Sequence, residues 1–472
     1  MSDRTASDAG ADRPLWLIPL VVAAALFMEN MDASVIGTAL PVIARDLGED
    51  PVILKLALTS YLLSLAVFIP ISGWCADRFG ARPLFQLAIS IFIVSSLCCA
   101  LAGSLVELIL ARALQGVGGA MMVPVGRLIL LRSVPKSQMV QAMAYLTIPA
   151  LFAPMIGPPI GGYVATFYDW RWIFWINVPF GLLAITLAGL YMPNVKGELT
   201  TRLDWTGFVL SGVGLSTLIF GFTIAGREAL PAAVAPALII AGICLLTGYV
   251  FHARRIAHPI LDLDLLKVVT FNTSVVGGGM FRLGIGAIPF LLPLMLQVGF
   301  GLSALDSGLI TFASAFGALI MKFTAPTILR RYGFRHVLTF NALICAGFLA
   351  SYSIFTPETS HIVIVLVLLV GGFFRSLQFT SLNAVAYADI STEMMSRATA
   401  LVAVAQQLFI SAGVAVGAFA IEISRWWRGD TELAPADFSF AFIVIAVVSA
   451  VASLLHLQLR TDAGQAVSGH RS

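Results

Sequence analysis

The sequence predicts an all-α protein whose helices cross a membrane many times. Of its 472 residues, 59% are hydrophobic and 11% are charged, and the mean hydropathy is +0.93. Apolar runs of about twenty residues, long enough to span a bilayer, recur along the chain between short polar turns that leave no room for a soluble domain. The formal net charge of +3 is small and not clustered, which argues against a nucleic-acid partner.

The apolar runs number fourteen, and we call them spans 1 to 14. Each is bounded by a polar turn or by a turn that contains glycine or proline. In chain order they cover residues 15–40, 53–73, 83–103, 105–131, 139–167, 171–192, 204–225, 230–251, 269–298, 304–328, 335–355, 361–387, 396–424 and 437–459.

The distribution of lysine and arginine predicts that both termini are cytoplasmic. An even number of spans returns the chain to the side on which it starts, and cytoplasmic loops of membrane proteins carry an excess of basic residues. With the N-terminus inside, the inner segments hold seventeen basic residues, among them Lys136, and the outer loops hold six, among them Lys55 and Arg227. The other five lie inside spans.

A weak internal repeat predicts two related halves. The segment Asp77-Arg78-Phe79-Gly80-Ala81-Arg82 after span 2 resembles Arg330-Arg331-Tyr332-Gly333-Phe334-Arg335 after span 10. Duplicated halves of this kind are typical of secondary transporters, whose substrate site lies between them near the bilayer midplane. We therefore predict a cytoplasmic tail at 1–14, a six-helix half at 15–192, an inserted two-helix hairpin at 204–251, a second six-helix half at 269–459 and a cytoplasmic tail at 460–472.

Two acids lie within one helical turn of span 1. Glu29 and Asp32 are three residues apart, so a helix presents them on one face. Acids at membrane depth face protein or a water-filled path and usually mark function. They are candidate proton carriers; the alternative is that Asp32 is one half of a structural ion pair.

Span 4 places an arginine at membrane depth. At ~1.5 Å per residue, Arg112 lies about 10 Å below the outer end of its span, and Asp32 lies at a similar depth in span 1. The two could form a structural pair, or Arg112 could tune the proton affinity of the carboxylate. These interpretations are compatible.

The second predicted half carries cations in its spans without an acid at the same depth. Arg282 in span 9 and Arg375 in span 12 lie near mid-depth, Lys322 in span 10 lies lower, and Glu422 is close to the outer end of span 13. Unpaired cations at this depth are costly. They could pair with Glu29, or they could form a basic substrate pocket for an anion. The glutamines that would complete such a pocket are Gln115, Gln378, Gln406 and Gln407.

Neither a metal site nor a catalytic site is predicted. All five cysteines lie in apolar spans, where they resemble small apolar residues, and all six histidines, including His470, lie in loops, tails or span ends. An intramembrane enzyme would need a nucleophile and base or a metal set at mid-depth, and none is evident. We expect no cofactor other than protons as the coupling ion.

Four motifs in order resemble those of the major facilitator superfamily. Two are Gly73–Arg82, with Gly73, Asp77, Arg78, Gly80 and Arg82 in the loop after span 2, and Arg112-Ala113-Leu114-Gln115-Gly116 in span 4. Span 5 has Gly157-Pro158-Pro159-Ile160-Gly161-Gly162, similar to the antiporter signature of this family, although Ala153 replaces an earlier glycine. The last is Asp169–Gly181 at the start of span 6, whose tryptophans suit a membrane interface.

The resemblance covers nearly the entire chain and implies a fold and a function. It implies the major facilitator fold and the fourteen-helix drug:proton antiporter branch (EmrB/QacA-like), with the greatest likeness to the MdtD-like multidrug transporters from Arg112 to Leu128. The implied protein is a monomeric, proton-driven exporter in the bacterial inner membrane, with small molecules and the lipid bilayer as partners and Asp77 in a cytoplasmic gate. Alternatives are an exporter of an organic anion or metal-carboxylate chelate, and a membrane sensor that transports nothing.

Overall fold

The computed structural model describes residues 16–134, 139–196, 203–224, 233–391, 394–430 and 432–465. These residues are almost entirely helical, and none of them forms a strand. The predicted tail at 1–14, the end of the tail at 460–472 beyond residue 465, and Lys136, Arg227 and His470 lie outside the described residues.

The α-helices are numbered here in chain order. They are α1 Leu17–Leu47, α2 Lys55–Phe68, α3 Ser72–Phe79, α4 Ala81–Leu101, α5 Leu105–Ser133, α6 Met139–Phe167, α7 Trp172–Trp175, α8 Asn177–Tyr191, α9 Trp205–Ile224, α10 Val234–Ala253, α11 Val269–Asn272, α12 Gly278–Gly286, α13 Ile288–Leu294, α14 Ala304–Ser351, α15 His361–Val385, α16 Met395–Arg428 and α17 Pro435–His456. Short 3₁₀ helices extend this set at Ile69–Ile71, Leu263–Lys267 and Tyr352–Ile354, and π-helices lie at Thr273–Gly277 and Met295–Gly299.

The helices confirm a polytopic all-α membrane fold. Thirteen helical segments of the described chain are long and apolar enough to cross a membrane, and each coincides with a predicted span. The remaining predicted span, the fifth, coincides with α6, which is not among the thirteen. The count of fourteen membrane-spanning helices and the side on which the termini lie therefore stay predictions.

Two glycines turn the chain at corresponding points of the internal repeat. Gly80 has φ 94° and separates α3 from α4, and Gly333 has φ 69° and breaks α14 where spans 10 and 11 were predicted to meet. Residues with a side chain rarely adopt such φ values, which explains a glycine at both positions. The repeat recognised in the sequence is therefore also a repeat of backbone conformation.

Several helices run beyond the apolar segments that predicted them. Span 1 was predicted to end at residue 40, but α1 continues through Pro41 to Leu47 and ends on Gly48, which adopts the left-handed conformation common after helix ends. Span 13 likewise extends to Arg428 and ends on Gly429. Hydropathy shows where a helix leaves the hydrocarbon core of the membrane. The helix itself continues until a residue such as glycine allows the backbone to turn.

Helix α6 packs closely between α1 and the first turns of α14. A side chain at Gly157 would collide with Ser34, and one at Gly161 would approach the Val35 carbonyl oxygen to 2.6 Å. On the other side, Gly162 faces the backbone at Ala304 without room for a Cβ atom. The small residues of the span 5 motif therefore let three helix backbones approach one another.

Helices α9 and α10 form a hairpin that packs against α2 and α16 through α9. Asp204, before α9, lies 2.7 Å from His252 Nε2 at the end of α10. The Tyr249 hydroxyl donates to the Leu261 carbonyl (2.7 Å), which fixes the connection that follows the hairpin. That connection is joined to α16 by an Asp262–Arg397 ion pair of 3.2 Å.

Candidate functional site

Asp32 lies at the centre of a buried polar network formed by four helices. Its side chain in α1 is almost inaccessible to solvent. One carboxylate oxygen accepts a hydrogen bond from Arg112 Nη1 of α5, and the other accepts from Gln115 Nε2 (3.0 Å) and Asn177 Nδ2 (2.8 Å). The matched depth predicted for Asp32 and Arg112 is confirmed as a direct ion pair.

Arg112 is held on several sides. It is fully buried, donates from Nη1 to Gln115 Oε1 (2.6 Å) and from Nε to the Ala57 carbonyl (3.3 Å), and lies 4.4 Å from the centre of the Tyr61 ring. Removing one charge of a buried ion pair leaves the other charge without a partner in a medium that solvates it poorly. The network can therefore hold a carboxylate at membrane depth and depends on the charge of that carboxylate.

Sequence reasoning missed two members of this network, Ser96 of α4 and Asn177 at the start of α8. Ser96 Oγ accepts from Gln115 Nε2 (2.8 Å) and from Asn177 Nδ2 (3.2 Å), so it supports both donors that contact Asp32. Asn177 is inside the fourth sequence motif, and an asparagine in an otherwise apolar span was the available signal. Ser96 had none, because serine is common in membrane helices.

Glu29 lies one turn before Asp32 but outside this network. Its side chain is half-buried, and its buried Oε2 atom has no hydrogen-bond partner. Arg127 of α5, which is exposed, lies within electrostatic range of it. The two acids predicted on one helical face therefore have different surroundings, with Asp32 fully bonded and Glu29 partly open.

A second buried cation, Arg282 of α12, is compensated only by neutral groups. It is 1% exposed, donates to the carbonyl of Ser274 (3.1 Å) and to Asn383 Oδ1 (3.2 Å), and lies 5.6 Å from the centre of the Phe379 ring. Its Nε atom is buried without a hydrogen-bond partner. In the described part of the chain, no carboxylate lies within 4.0 Å of its guanidinium, so the predicted pairing with Glu29 is not formed in this conformation.

Three of the other predicted substrate residues have hydrogen-bond partners that are separate from one another. Gln115 belongs to the Asp32 network, Gln378 is buried between Asn341 and the Leu338 carbonyl, and Lys322 donates to Thr380 Oγ1 at 2.8 Å. The half-buried members of the predicted set are Arg375, Gln406 and Gln407. Gln115 and Gln378 are thus committed to contacts inside the protein, and their role as substrate ligands stays a prediction.

The loop motif after span 2 joins neighbouring segments at one end of the helices. Asp77 forms an ion pair with Arg132 at the end of α5 (2.9 Å), and Arg82 Nη1 lies 3.4 Å from the Met192 carbonyl. Gly80 faces Asn194 so closely that a Cβ atom would displace it. Arg78 is exposed, and Gly73 faces open space. A gating role of this motif stays a prediction.

The tryptophans of the fourth motif do not all lie at the protein surface. Trp172 and Trp175 are exposed, as a membrane-interface position requires, but Trp170 is buried. Its Nε1 atom donates to Asp46 Oδ2 (2.9 Å), and Arg171 pairs with the same carboxylate at 3.0 Å. The motif therefore fastens the start of span 6 to the end of α1, which is why its first tryptophan is buried.

Comparison with known proteins gives one consistent family. The model of the Major Facilitator Superfamily matches residues 22–414 and 274–470. The chain is 36% identical over 439 residues to the "Probable transport protein HsrA" of Haemophilus influenzae, covering 93% of this chain and 95% of that protein. It is 34% identical over 450 residues to the "Putative multidrug resistance protein MdtD" of Escherichia coli K12, covering 95% of each.

A solved structure agrees with this at the level of the fold. The structure of a D-xylose-proton symporter superimposes with a TM-score of 0.65 and 15% sequence identity, covering 93% of this chain and 96% of the other. The helices, the motifs and the family match together identify a membrane transporter and not an enzyme. The chain belongs to the major facilitator superfamily.

Proposed function

We propose that this protein is a proton-coupled efflux transporter of the multidrug:proton antiporter type. It works as a monomer in the bacterial inner membrane, with both termini in the cytoplasm. Two six-helix halves, at 15–192 and 269–459, rock around a site near the midplane, so that the site faces each side of the membrane in turn. The resemblance of the motifs and the name of the relative in Escherichia coli support drug export.

The Asp32 network is the observation that carries the proton coupling. A buried carboxylate in a membrane helix is costly unless it is paired, and here Arg112, Gln115 and Asn177 supply the compensation. A proton that binds Asp32 cancels its attraction to Arg112 and loosens the contact between α1 and α5. In this proposal, proton binding changes how two helices pack, and Glu29 provides a second carboxylate one turn along the same helix.

Reconstitution into liposomes tests the proposal. With an imposed pH gradient, the wild-type protein should accumulate an amphipathic cation such as ethidium against its gradient. Asp32→Asn should abolish this uphill flux per folded molecule, and it should also lower stability, because the buried Arg112 loses its counter-ion. Asp46→Asn is the matched control, because it makes the same change in the same helix at a side chain that is 47% exposed. Undiminished uphill flux in Asp32→Asn would remove Asp32 as the proton carrier.

The same assay separates transport from sensing. A sensor would bind small molecules but would give no proton-dependent flux with any member of a panel of cationic drugs and organic acids. Dissipation of the pH gradient with an ionophore should stop uphill flux in a transporter. Binding without flux across the whole panel would favour the sensor.

An organic anion, such as a carboxylate or its metal chelate, is the second candidate cargo. The observation in its favour is Arg282, a buried guanidinium whose compensation is entirely neutral. If it binds an anion, Arg282→Gln should weaken the binding of a tricarboxylate such as citrate by about 1.5–3 kcal/mol, or ten- to a hundredfold. Ethidium binding should be unaffected, and an equal loss for both compounds would argue against an anion site.

A further inference from the structure

The inserted hairpin is a pair of closely packed helices. A Cβ atom at Gly242 of α10 would approach the backbone nitrogen of Leu218 to 2.7 Å, and one at Gly221 of α9 would approach that of Ile239 to 3.0 Å. Glycines at such positions let two helix backbones approach one another. We therefore expect α9 and α10 to move together.

Asp204 joins this pair of helices to the connection that follows it. Its side chain is 6% exposed. Oδ1 accepts from the Gly207 backbone N–H (2.8 Å) at the start of α9 and lies 2.7 Å from His252 Nε2 at the end of α10. Oδ2 accepts from the Ile260 backbone N–H (3.3 Å) in the connection. One carboxylate thus holds three segments, so the hairpin and its connection form a single body.

Polar contacts fasten this body to the second half. Arg397, in the first turn of α16, pairs with Asp262 at 3.2 Å, and its Nη2 atom lies 2.9 Å from His258 Nδ1. Where the chain enters the second half, Thr270 Oγ1 donates to Asp389 Oδ2 (2.8 Å). Hydrogen bonds depend on distance and angle, so together with the continuous chain they fix the position of the hairpin on this side.

The contact between the hairpin and the first half is formed by apolar side chains. The Phe208 ring of α9 lies edge-on to the Phe68 ring of α2, with 5.8 Å between their centroids. A Cβ atom at Gly212 would lie 3.0 Å from Val67 Cγ1. Such contacts are individually weak and have no preferred direction, so one apolar surface can slide over another at little cost.

We propose that the hairpin and its connection move with the second half as one body and slide along α2 of the first half. This rests on the alternating access in the proposed function. Because α9 packs against both α2 and α16, it lies over the line where these two helices meet. When the halves rock, the polar contacts with α16 are kept, and the apolar contacts with α2 change partners.

Distances between spin labels test this, in a chain whose native cysteines are replaced. Phe79→Cys and Tyr332→Cys are exposed and occupy corresponding positions of the repeat, so they report the distance between the halves. Arg255→Cys, exposed next to the end of α10, is paired with each of them in turn. The distance from the hairpin to the second half should be fixed. That from the hairpin to the first half should follow the distance between the halves.

A wedge between the halves moves them without substrate. A Cβ atom at Gly308 of α14 would lie 2.2 Å from the Pro158 carbonyl oxygen of α6, so Gly308→Leu should separate these helices towards the predicted outer side. The two repeat labels, on the other side, should then approach each other. Gly162→Leu presses on the same helix contact from α6 and replaces Gly308→Leu if that variant does not fold. Gly347→Leu, at a residue of α14 that faces open space, is the matched control and should change none of the distances.

Each result of the wedge experiment decides the proposal. Parallel shifts of the distance between the halves and of that from the hairpin to the first half support it, provided that the third distance keeps its wild-type distribution. If the third distance shifts and the hairpin stays fixed to the first half, the proposal is wrong. Shifts in all three would mean that the hairpin moves independently, and no shift in any would remove the rocking; both outcomes also overturn it.

A disulfide tests the sliding contact itself. Val67→Cys with Gly212→Cys places two thiols in contact between α2 and α9. Oxidation should fix the hairpin to the first half and stop ethidium flux in liposomes, and reduction should restore it. Asp262→Cys with Arg397→Cys, joined by a short thiol-specific cross-linker, is the matched control, because it links the hairpin to the second half and should leave flux intact. Full flux after complete oxidation of the first pair would contradict the sliding.

The distances need neither substrate nor a pH gradient. They can therefore be read even if the liposome assay finds no proton-coupled flux. Absence of flux with the expected parallel shifts would remove the proposed function and keep the sliding hairpin. Flux in a protein whose hairpin moves with the first half would do the reverse.

Discussion

Among the described residues, two arginines are buried in the membrane helices, and the protein compensates them differently. Arg112 in α5 faces the carboxylate of Asp32, whereas Arg282 in α12 faces a carbonyl and an amide oxygen. One site is electrically balanced, and the other keeps its positive charge. A balanced site can respond to a proton, and an unbalanced site can attract an anion.

The two halves also differ at the position of the repeat that corresponds to Arg112. Gly116 packs against the backbone of Tyr61, nineteen residues before Gly80, and Gly372 packs against that of Ser314, nineteen residues before Gly333. Four residues before these glycines are Arg112 in the first copy and Leu368, a fully buried core residue, in the second. The packing contact is thus shared by both copies, and the buried cation of α5 is not.

The largest expected effect is on the balanced site. Arg112→Gln removes one partner of the buried pair and should cost about 3–5 kcal/mol of stability, because the Asp32 carboxylate is left without its counter-ion. The apparent melting temperature in one detergent measures this. The double variant Asp32→Asn with Arg112→Gln should recover part of the loss, and a double variant no more stable than Arg112→Gln would contradict the pairing as its cause.

A smaller loss is expected at the unbalanced site. Arg282→Gln removes two hydrogen bonds but strands no carboxylate, so we expect it to cost about 1–3 kcal/mol. Measured in the same detergent, its melting temperature should lie clearly above that of Arg112→Gln. Equal losses in the two variants would mean that Arg282 has a carboxylate partner in solution and would remove the contrast between the sites.

The smallest effect concerns a residue that positions Asp32. Asn177→Ala removes a donor to the carboxylate and should cost about 0.5–1.5 kcal/mol. Uphill flux of ethidium in liposomes should fall without being abolished, since Arg112 and Gln115 still hold Asp32. Thr186→Ala, which removes an exposed hydroxyl from the same helix, should leave flux unchanged; an equal loss in both variants would show that only the helix was weakened.

The sequence predicted those features that depend on local chemistry. Hydropathy located the helices, the repeated glycine turns at Gly80 and Gly333 were recognisable in the sequence, and helix rise placed Asp32 level with Arg112. Each of these inferences needs only the local sequence of a helix, or that sequence together with the known thickness of the membrane. The main error was at helix ends, where polar residues such as Asp46 continue the helix beyond its apolar part.

Features that depend on how distant segments meet could not be predicted. Lys55 was assigned to an outer loop, yet it is buried against Glu422, 367 residues later in the chain. Trp170 was expected to be exposed at the membrane interface, yet it is buried and donates a hydrogen bond to Asp46 near the end of α1. In both cases the partner belongs to another helix. The spacing of residues along the chain does not predict which distant residues will be in contact.

The π-helix at Thr273–Gly277 links the winding of a helix to the contacts of Arg282. A π-turn holds one residue more than an α-turn, and here one carbonyl within it, that of Ser274, accepts a hydrogen bond from the arginine. If this turn rewound to α-helix, every later residue of the helix would rotate by about 100° about its axis. The contact between Arg282 and Ser274 and the orientation of the residues that follow are therefore linked, because both depend on how this turn is wound.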